Sequence, residues 1–255
     1  MCIRDRISAG AWTEYDSDYL HKSLADSKFD SVNIYDCTSQ WGVFSIAGPN
    51  SRSFLKKIVV SEDPDKTLSN KEFPWLSYRD IEIGMCPVRA LRVAYTGELG
   101  WELHHPIEMQ NYLLDILLSS GKEFNLKLVG ARAQNWLRQE KSYKAFGSDL
   151  GRDAGPFESN LSRFVDINKN FLGKDALLKR KTDVSCVTLL IDGPKDIDPW
   201  GREALYNETE EVMLGRLTSA GYSVHFKRSI GIGYVKSSFS EVGTKLRIKI
   251  DDAFW

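Results

Sequence analysis

The stretch Tyr95-Thr96-Gly97-Glu98-Leu99-Gly100-Trp101-Glu102-Leu103 places two glycines in a short turn between two apolar segments. Glycine tolerates a positive φ and allows a flat ligand to come close to the backbone. The alternation of side chains from Val88 to Tyr95 predicts a strand before the turn, and the chain resumes as a strand from Trp101 to His104. The stretch therefore predicts two strands joined by a glycine-lined turn.

Two side chains beside this turn are candidate ligand-binding groups. Tyr95 and Glu102 lie at the predicted strand ends that border the turn, so we expect them to face one pocket. A carboxylate there can accept two hydrogen bonds from an amidine-like edge, such as the N–H and the exocyclic amine of a pterin. From the pattern alone, a hairpin whose acids are solvated is the favoured interpretation, and both interpretations remain open.

The neighbouring segments predict a mixture of helices and strands. Residues Gly42 to Ala47 predict a short buried strand, which Gly48-Pro49 ends, and Asn50 is expected to cap the helix that follows. Apolar stripes predict further helices from Glu108 to Ser120 and from Gly130 to Lys141.

Charged residues lie along the predicted helix that begins at Gly130. Arg132, near its start, is a candidate binder of an anion or a ring. A surface arginine paired with a nearby acid is the favoured alternative for this position. For Arg138 and Glu140, we expect structural pairing rather than a role in binding.

The last third of the chain predicts short strands separated by turns. The predicted strands are Val184–Ile191, Glu211–Arg216, Ser229–Val235 and Lys245–Ile250. This spacing favours a small antiparallel sandwich or barrel. We therefore expect an α+β half, a boundary near residues 157–180, and an all-β half.

Composition argues against several classes of protein. The chain has 255 residues and a formal net charge of −1, which argues against a strongly basic nucleic-acid binder or a polybasic membrane binder. The four cysteines lie far apart without a CxxC motif, so we predict free thiols, no disulfide framework and no metal site. His104 and His105 are adjacent in a predicted strand, so they point to opposite faces and make a poor metal pair.

Several segments, taken in order, resemble the aminomethyltransferase (glycine-cleavage T-protein) superfamily. They are Trp41–Pro49, Tyr95–Leu103, Gly130–Arg132, Leu137–Lys141, Pro156–Leu161, Phe171–Leu177 and Gly215–Tyr222. The resemblance implies an α+β fold, with a T-protein-like folate-binding domain followed by a small antiparallel β-barrel or sandwich domain. The sequences at 97–103, 137–141 and 240–243 are most similar to the folate-binding C-terminal part of dimethylglycine and sarcosine dehydrogenases.

The resemblance implies a cofactor and a set of residues that contact it. In these dehydrogenases a flavin domain oxidises an N-methyl group to an iminium, and tetrahydrofolate captures the carbon as 5,10-methylene-tetrahydrofolate. Carried over to this sequence, Tyr95 lines the folate site, Glu102 hydrogen-bonds the pterin, and Arg132 contacts the folate. The implied ligands are tetrahydrofolate and a methylated amine or its iminium, with neither nucleic acid nor a membrane as partner.

The resemblance also implies boundaries and missing parts. We expect a non-native leader at 1–7, a truncated folate-binding domain at 8–160, a crossover at 161–180 and a truncated β-barrel domain at 181–255. The family's catalytic aspartate is expected upstream of this chain, so the catalytic residue is unknown. FAD is expected only in an upstream domain fused in the parent protein. The expected location is the cytoplasm, or the mitochondrial matrix in a eukaryote.

Two related functions and one unrelated one remain as alternatives. The chain could belong to a free-standing aminomethyltransferase of glycine cleavage, or to a non-catalytic folate-binding protein. The latter branch carries a Lys-Gly-Cys-Tyr-x-Gly-Gln-Glu crossover, whereas this chain reads Lys169-Asn170-Phe171-Leu172-Gly173-Lys174. The last alternative is a structural α+β module without a ligand.

Overall fold

The computed structural model describes residues 6–29, 31–194 and 197–255. They form two compact units, of which the first contains the described residues up to Ala94 together with Glu98–Leu128. The second unit contains Tyr95–Gly97 and Val129–Trp255. Residues 1–5 of the expected leader lie outside the described residues, and the domain boundaries expected at 160/161 and 180/181 stay a prediction.

The first unit is built on a four-stranded antiparallel sheet. Its strands are β1 (Trp41–Ala47), β2 (Tyr78–Ile83), β3 (Cys86–Leu91) and β4 (Gly100–Pro106), in the order β1-β4-β3-β2. Its helices are α1 (Thr13–Ala25), α2 (Ser51–Ile58), α3 (Pro64–Thr67) and α4 (Gln110–Gly121). Single 3₁₀ turns occupy Gly10–Trp12, Thr38–Gln40, Ile107–Met109 and Lys122–Phe124.

The core of this unit lies against one face of the sheet. Trp101 and Leu103 of β4 are fully buried, and they share a hydrophobic cluster with Phe54 of α2 and Leu113 of α4. Because side chains alternate along a strand, the residues between them, such as Glu102, lie on the opposite face. The same alternation runs through β1, so the strand that was predicted to be buried is buried on one face and exposed on the other.

Two local predictions also need correction. The strand predicted to end at Tyr95 stops at Leu91, because Val93 N–H donates to the carbonyl of Leu91 at 2.9 Å and turns the chain out of the ladder. Asn50 precedes α2 but makes no side-chain cap, whereas Ser51 Oγ donates to the carbonyl of Gly48 at 2.6 Å.

The second unit combines two helices with a six-stranded antiparallel sheet. The helices are α5 (Ala131–Glu140) and α6 (Lys174–Lys179), and 3₁₀ turns occupy Ser162–Phe164 and Ser237–Phe239. The strands are β5 (Val184–Ile191), β6 (Ala204–Tyr206), β7 (Met213–Ser223), β8 (Arg228–Lys236), β9 (Arg247–Ile250) and β10 (Ala253–Phe254). Their order is β10-β9-β6-β7-β8-β5, which confirms the predicted antiparallel C-terminal domain.

The long strands β7 and β8 are paired neighbours within this sheet. Leu217 of β7 and Val235 of β8 are fully buried and pack with Ile191 of β5 and Leu205 of β6. The predicted strand at Glu211–Arg216 instead begins at Met213 and continues to Ser223. The residues of β7 beyond Arg216 pair with β8, and this pairing continues to Ser223 of β7, which lies opposite Arg228 of β8.

Three features of the described residues concern cysteine chemistry, metal binding and membrane insertion. Cys37, Cys86 and Cys186 are free thiols. In the part of the chain that the structure describes, no group of three or more His, Cys, Asp or Glu side chains could hold a metal ion. None of the helices described is both long and apolar enough to span a bilayer.

Candidate functional site

Glu102 occupies the middle of the sheet in the first unit. It is the third residue of β4, and this strand is flanked by β1 on one side and β3 on the other. Ser45 of β1 and Leu91 of β3 lie opposite it in the two ladders. Its side chain is 30% exposed on the face turned away from the hydrophobic core. A carboxylate there is held by rigid strands on both sides and is still open to a ligand.

A histidine two residues along the strand contacts this carboxylate. His104 Nε2 lies 3.2 Å from Glu102 Oε2, and the His104 side chain is only 12% exposed. Because an ionised carboxylate only accepts hydrogen bonds, His104 must donate through Nε2. Among the described residues, Oε1 of Glu102 accepts no hydrogen bond, which leaves it available to a donor from outside the chain.

The neighbouring histidine lies on the other face, as alternation predicted. His105 is fully buried, and its ring stacks on Phe44 of β1 with the ring centres 4.9 Å apart. Its Nδ1 lies 2.9 Å from the carbonyl oxygen of Leu103. The two histidines therefore have separate partners, Glu102 for His104 and the core for His105.

The glycines of the turn have separate structural roles. Gly97 adopts φ +77°, which a side chain would strain. Gly100 instead lies so close to β1 that an added Cβ would sit 2.6 Å from the carbonyl oxygen of Ile46. The need for glycine at position 100 is thus explained by strand packing, without any ligand.

Tyr95 lies in the second unit, in the segment after β3 rather than at a strand end. Its ring stacks on that of Tyr143, with the centres 6.4 Å apart and the planes 18° from parallel. Burial raises the pKa of the Tyr95 phenol above its ordinary value, so the side chain is neutral at physiological pH. That Tyr95 and Glu102 face one pocket stays a prediction.

Arg132 has the acidic partner that the pattern favoured. Its guanidinium forms an ion pair with Asp198. It also stacks on two indole rings, 5.0 Å from the centre of Trp136 and 4.8 Å from that of Trp200. About half of the Arg132 side chain is exposed, so this ion pair is a weak one. Folate contact by Arg132 remains a prediction.

Arg138 is structural, as expected, but the pattern gave no indication of its main partner. Its buried guanidinium pairs with Asp149, a fully buried acid from the Gly- and Asp-rich loop before residue 157. Asp149 also accepts hydrogen bonds from Thr218 Oγ1 and Ser219 Oγ, both at 2.6 Å, and from the N–H of Ala145 at 2.9 Å. This acid has no capacity left for a ligand.

Comparison with known proteins gives, over nearly the whole chain, the family that the sequence resembles. The model of the GCVT N-terminal domain matches residues 7–169, and that of the glycine cleavage T-protein C-terminal barrel domain matches residues 185–253. The mitochondrial dimethylglycine dehydrogenase of Mus musculus is 37% identical over 226 residues, which are 86% of this chain and 25% of that protein. The human one is 35% identical over 245 residues, 92% of this chain and 27% of that protein.

A solved structure shares the fold. It is the glycine cleavage system aminomethyltransferase T of Bartonella henselae, with a TM-score of 0.74, 21% identity, and coverage of 94% of this chain and 63% of that one. The chain spans about a quarter of the dimethylglycine dehydrogenases that it matches. On the two domain matches together, the chain belongs to the aminomethyltransferase (glycine-cleavage T-protein) superfamily.

Proposed function

We propose that this chain is the tetrahydrofolate-binding part of a demethylating dehydrogenase of the dimethylglycine or sarcosine type. The similarity to dimethylglycine dehydrogenases, at 35–37% identity, supports this branch. The aminomethyltransferase of Caldanaerobacter subterraneus is 29% identical over 86% of this chain. In the proposed parent protein, oxidation of the methylated amine belongs to a flavin domain outside this chain.

The placement of Glu102 is the observation that carries the proposal. Its carboxylate lies on the open face of a central strand, one-third exposed, with Oε1 free of hydrogen bonds from the described residues. A pterin presents an N–H and an exocyclic amine side by side, and a carboxylate is the natural acceptor for such a pair. The Glu102 carboxylate therefore fits the donor edge at the pterin end of a folate.

Tetrahydrofolate, when bound, supplies the nitrogen nucleophiles that take up the one-carbon unit of an iminium as 5,10-methylene-tetrahydrofolate. The contribution of Glu102 is to fix the orientation of the ring, which lowers the entropic cost of the reaction. Tyr95 and Arg132 are proposed as further folate contacts on the resemblance alone. Because Arg132 pairs with Asp198, a carboxylate of the folate would have to compete with Asp198 for the guanidinium.

An aminomethyltransferase of glycine cleavage is the second candidate. The observation that favours it is the second domain match, since the model over residues 185–253 is that of the glycine cleavage T-protein C-terminal barrel domain. Both candidates use the same folate-binding residue. The gene around this coding sequence separates them, because a flavin domain fused ahead of it supports the dehydrogenase.

Calorimetric titration of the 255-residue chain with 5-formyl-tetrahydrofolate tests the proposal. Glu102→Gln should weaken binding about tenfold to a hundredfold, because a hydrogen bond to a charged group contributes about 1.5–3 kcal/mol. Glu82→Gln is the matched control, since Glu82 is exposed on the edge strand β2 of the same sheet. A folded wild-type chain that does not bind, or equal affinity in the wild type and Glu102→Gln, would contradict the proposal.

A further inference from the structure

We propose that His104 is a positioning residue for Glu102, which fixes the carboxylate so that its free oxygen is presented to the pterin. This inference rests on the proposed function. His104 is not assigned a contact with the ligand, because it acts through the carboxylate.

The backbone places the two side chains together. Residues two apart on a strand point to the same face, so His104 and Glu102 project side by side from β4. The distance of 3.2 Å between His104 Nε2 and Glu102 Oε2 is that of a hydrogen bond. Since the imidazole bonds to Oε2, the carboxylate plane is held while Oε1 stays free.

The imidazole is the more fixed member of the pair. It is 12% exposed against 30% for Glu102. The register sets Val43 of β1 and Arg89 of β3 on either side of His104. Arg89 in turn donates from Nε to Asp80 at 2.9 Å and lies over the ring of Tyr78. The histidine therefore has a side chain from each neighbouring strand beside it, and the glutamate is the more exposed member of the pair.

Holding the carboxylate in advance strengthens binding in a predictable way. A free glutamate side chain samples several rotamers and loses that freedom when a ligand binds to its carboxylate. A carboxylate has about four acceptor positions, so the bond from His104 to Oε2 still leaves room for two donors of a pterin. The imidazole thus orients the acid without blocking it.

Replacements of His104 separate positioning from a general structural role. His104→Ala should weaken binding of 5-formyl-tetrahydrofolate about fivefold, the scale of one side chain that must give up its rotamer freedom on binding. His104→Gln should restore most of the affinity, because its amide nitrogen is as many bonds from Cβ as Nε2 is. His104→Asn, whose nitrogen is one bond nearer, should behave like His104→Ala. His21→Ala, at an exposed histidine of α1, is the control and should bind like the wild type.

A double-mutant cycle tests whether His104 acts through Glu102. In the Glu102→Gln background, His104→Ala should cause less than a twofold further loss, since the carboxylate that it positions is gone. Thermal unfolding of each variant checks that the chain is folded at the titration temperature.

Three results would overturn the inference. They are wild-type affinity in His104→Ala, no recovery of affinity in His104→Gln, and a fivefold loss of affinity when His104→Ala is added to Glu102→Gln. If any of these occurs while Glu102→Gln alone still weakens binding, the proposed function stands and only the role of His104 falls. If Glu102→Gln has no effect either, both fail.

Discussion

Two acidic residues, one in each unit, have opposite environments. Glu102 is partly exposed, receives one hydrogen bond from His104 and keeps one oxygen free of partners among the described residues. Asp149 is fully buried, and both of its oxygens accept hydrogen bonds, including one from the buried Arg138. An acid with spare acceptor capacity can serve a ligand, whereas an acid with none serves the fold. Substitutions in the two units should therefore affect different properties, stability around Asp149 and ligand binding at Glu102.

The largest expected effect is on stability, at Asp149. Asp149→Asn removes the charge that faces the buried Arg138, and breaking a buried pair costs about 3–5 kcal/mol. Urea unfolding measures this free energy. Asp153→Asn, at an exposed acid in the same loop, is the control and should lie within about 0.5 kcal/mol of the wild type. If Asp149→Asn lowers the free energy of unfolding by less than about 1 kcal/mol, the buried ion pair is not important for stability, and the contrast with Glu102 fails.

The next effect is at Gly100, the residue that brings β4 close to β1. Gly100→Ala places a methyl group 2.6 Å from the backbone oxygen of Ile46, so the strands must separate. Overpacking of this kind costs about 1–3 kcal/mol. The control is Gly151→Ala, since no atom lies within 4 Å of the added Cβ there. If Gly100→Ala and Gly151→Ala have equal midpoints of urea unfolding, close packing of β4 against β1 does not explain the glycine at position 100.

A smaller effect should appear at alkaline pH in the second unit. Burial raises the pKa of Cys186 from 9.0 to about 11, so the folded chain retains a proton that the unfolded chain releases. Stability from this group is therefore complete below pH 9 and decreases as the pH rises toward 11. Cys186→Ala should reduce the decrease in the free energy of unfolding between pH 9 and pH 11. Cys37→Ala, at an exposed thiol, should leave that decrease unchanged. An unchanged slope in Cys186→Ala would contradict the assignment.

Sequence patterns predicted β4, the strand that carries Glu102, because alternation is a local signal. The apolar positions Trp101 and Leu103 fix which face of β4 is buried, and Glu102 must then lie on the other face. The family resemblance added the chemical role of this residue, which alternation alone does not contain. Local patterns were less reliable at element ends, since the early end of β3 depends on the turn at Leu91 and Val93.

The buried network around Asp149 could not be predicted in this way. Asp149 lies in a loop, and its partners Thr218 and Ser219 are about 70 residues away in the chain. No local period brings such residues together, so only the fold reveals that the acid is saturated. The partner of Glu102, in contrast, is two residues away, but a histidine beside an acid is too common a pattern to indicate a contact.

The central claim is that the Glu102 carboxylate accepts the donor edge of a pterin. The most direct measurement compares 5-formyl-tetrahydrofolate with its analogue in which a methyl group replaces the 2-amino group, in the wild type and in Glu102→Gln. The wild type should prefer the 2-amino ligand about tenfold or more, and the variant should lose most of that preference. A preference of equal size in both proteins would show that another group reads the 2-amino position, and would contradict the account.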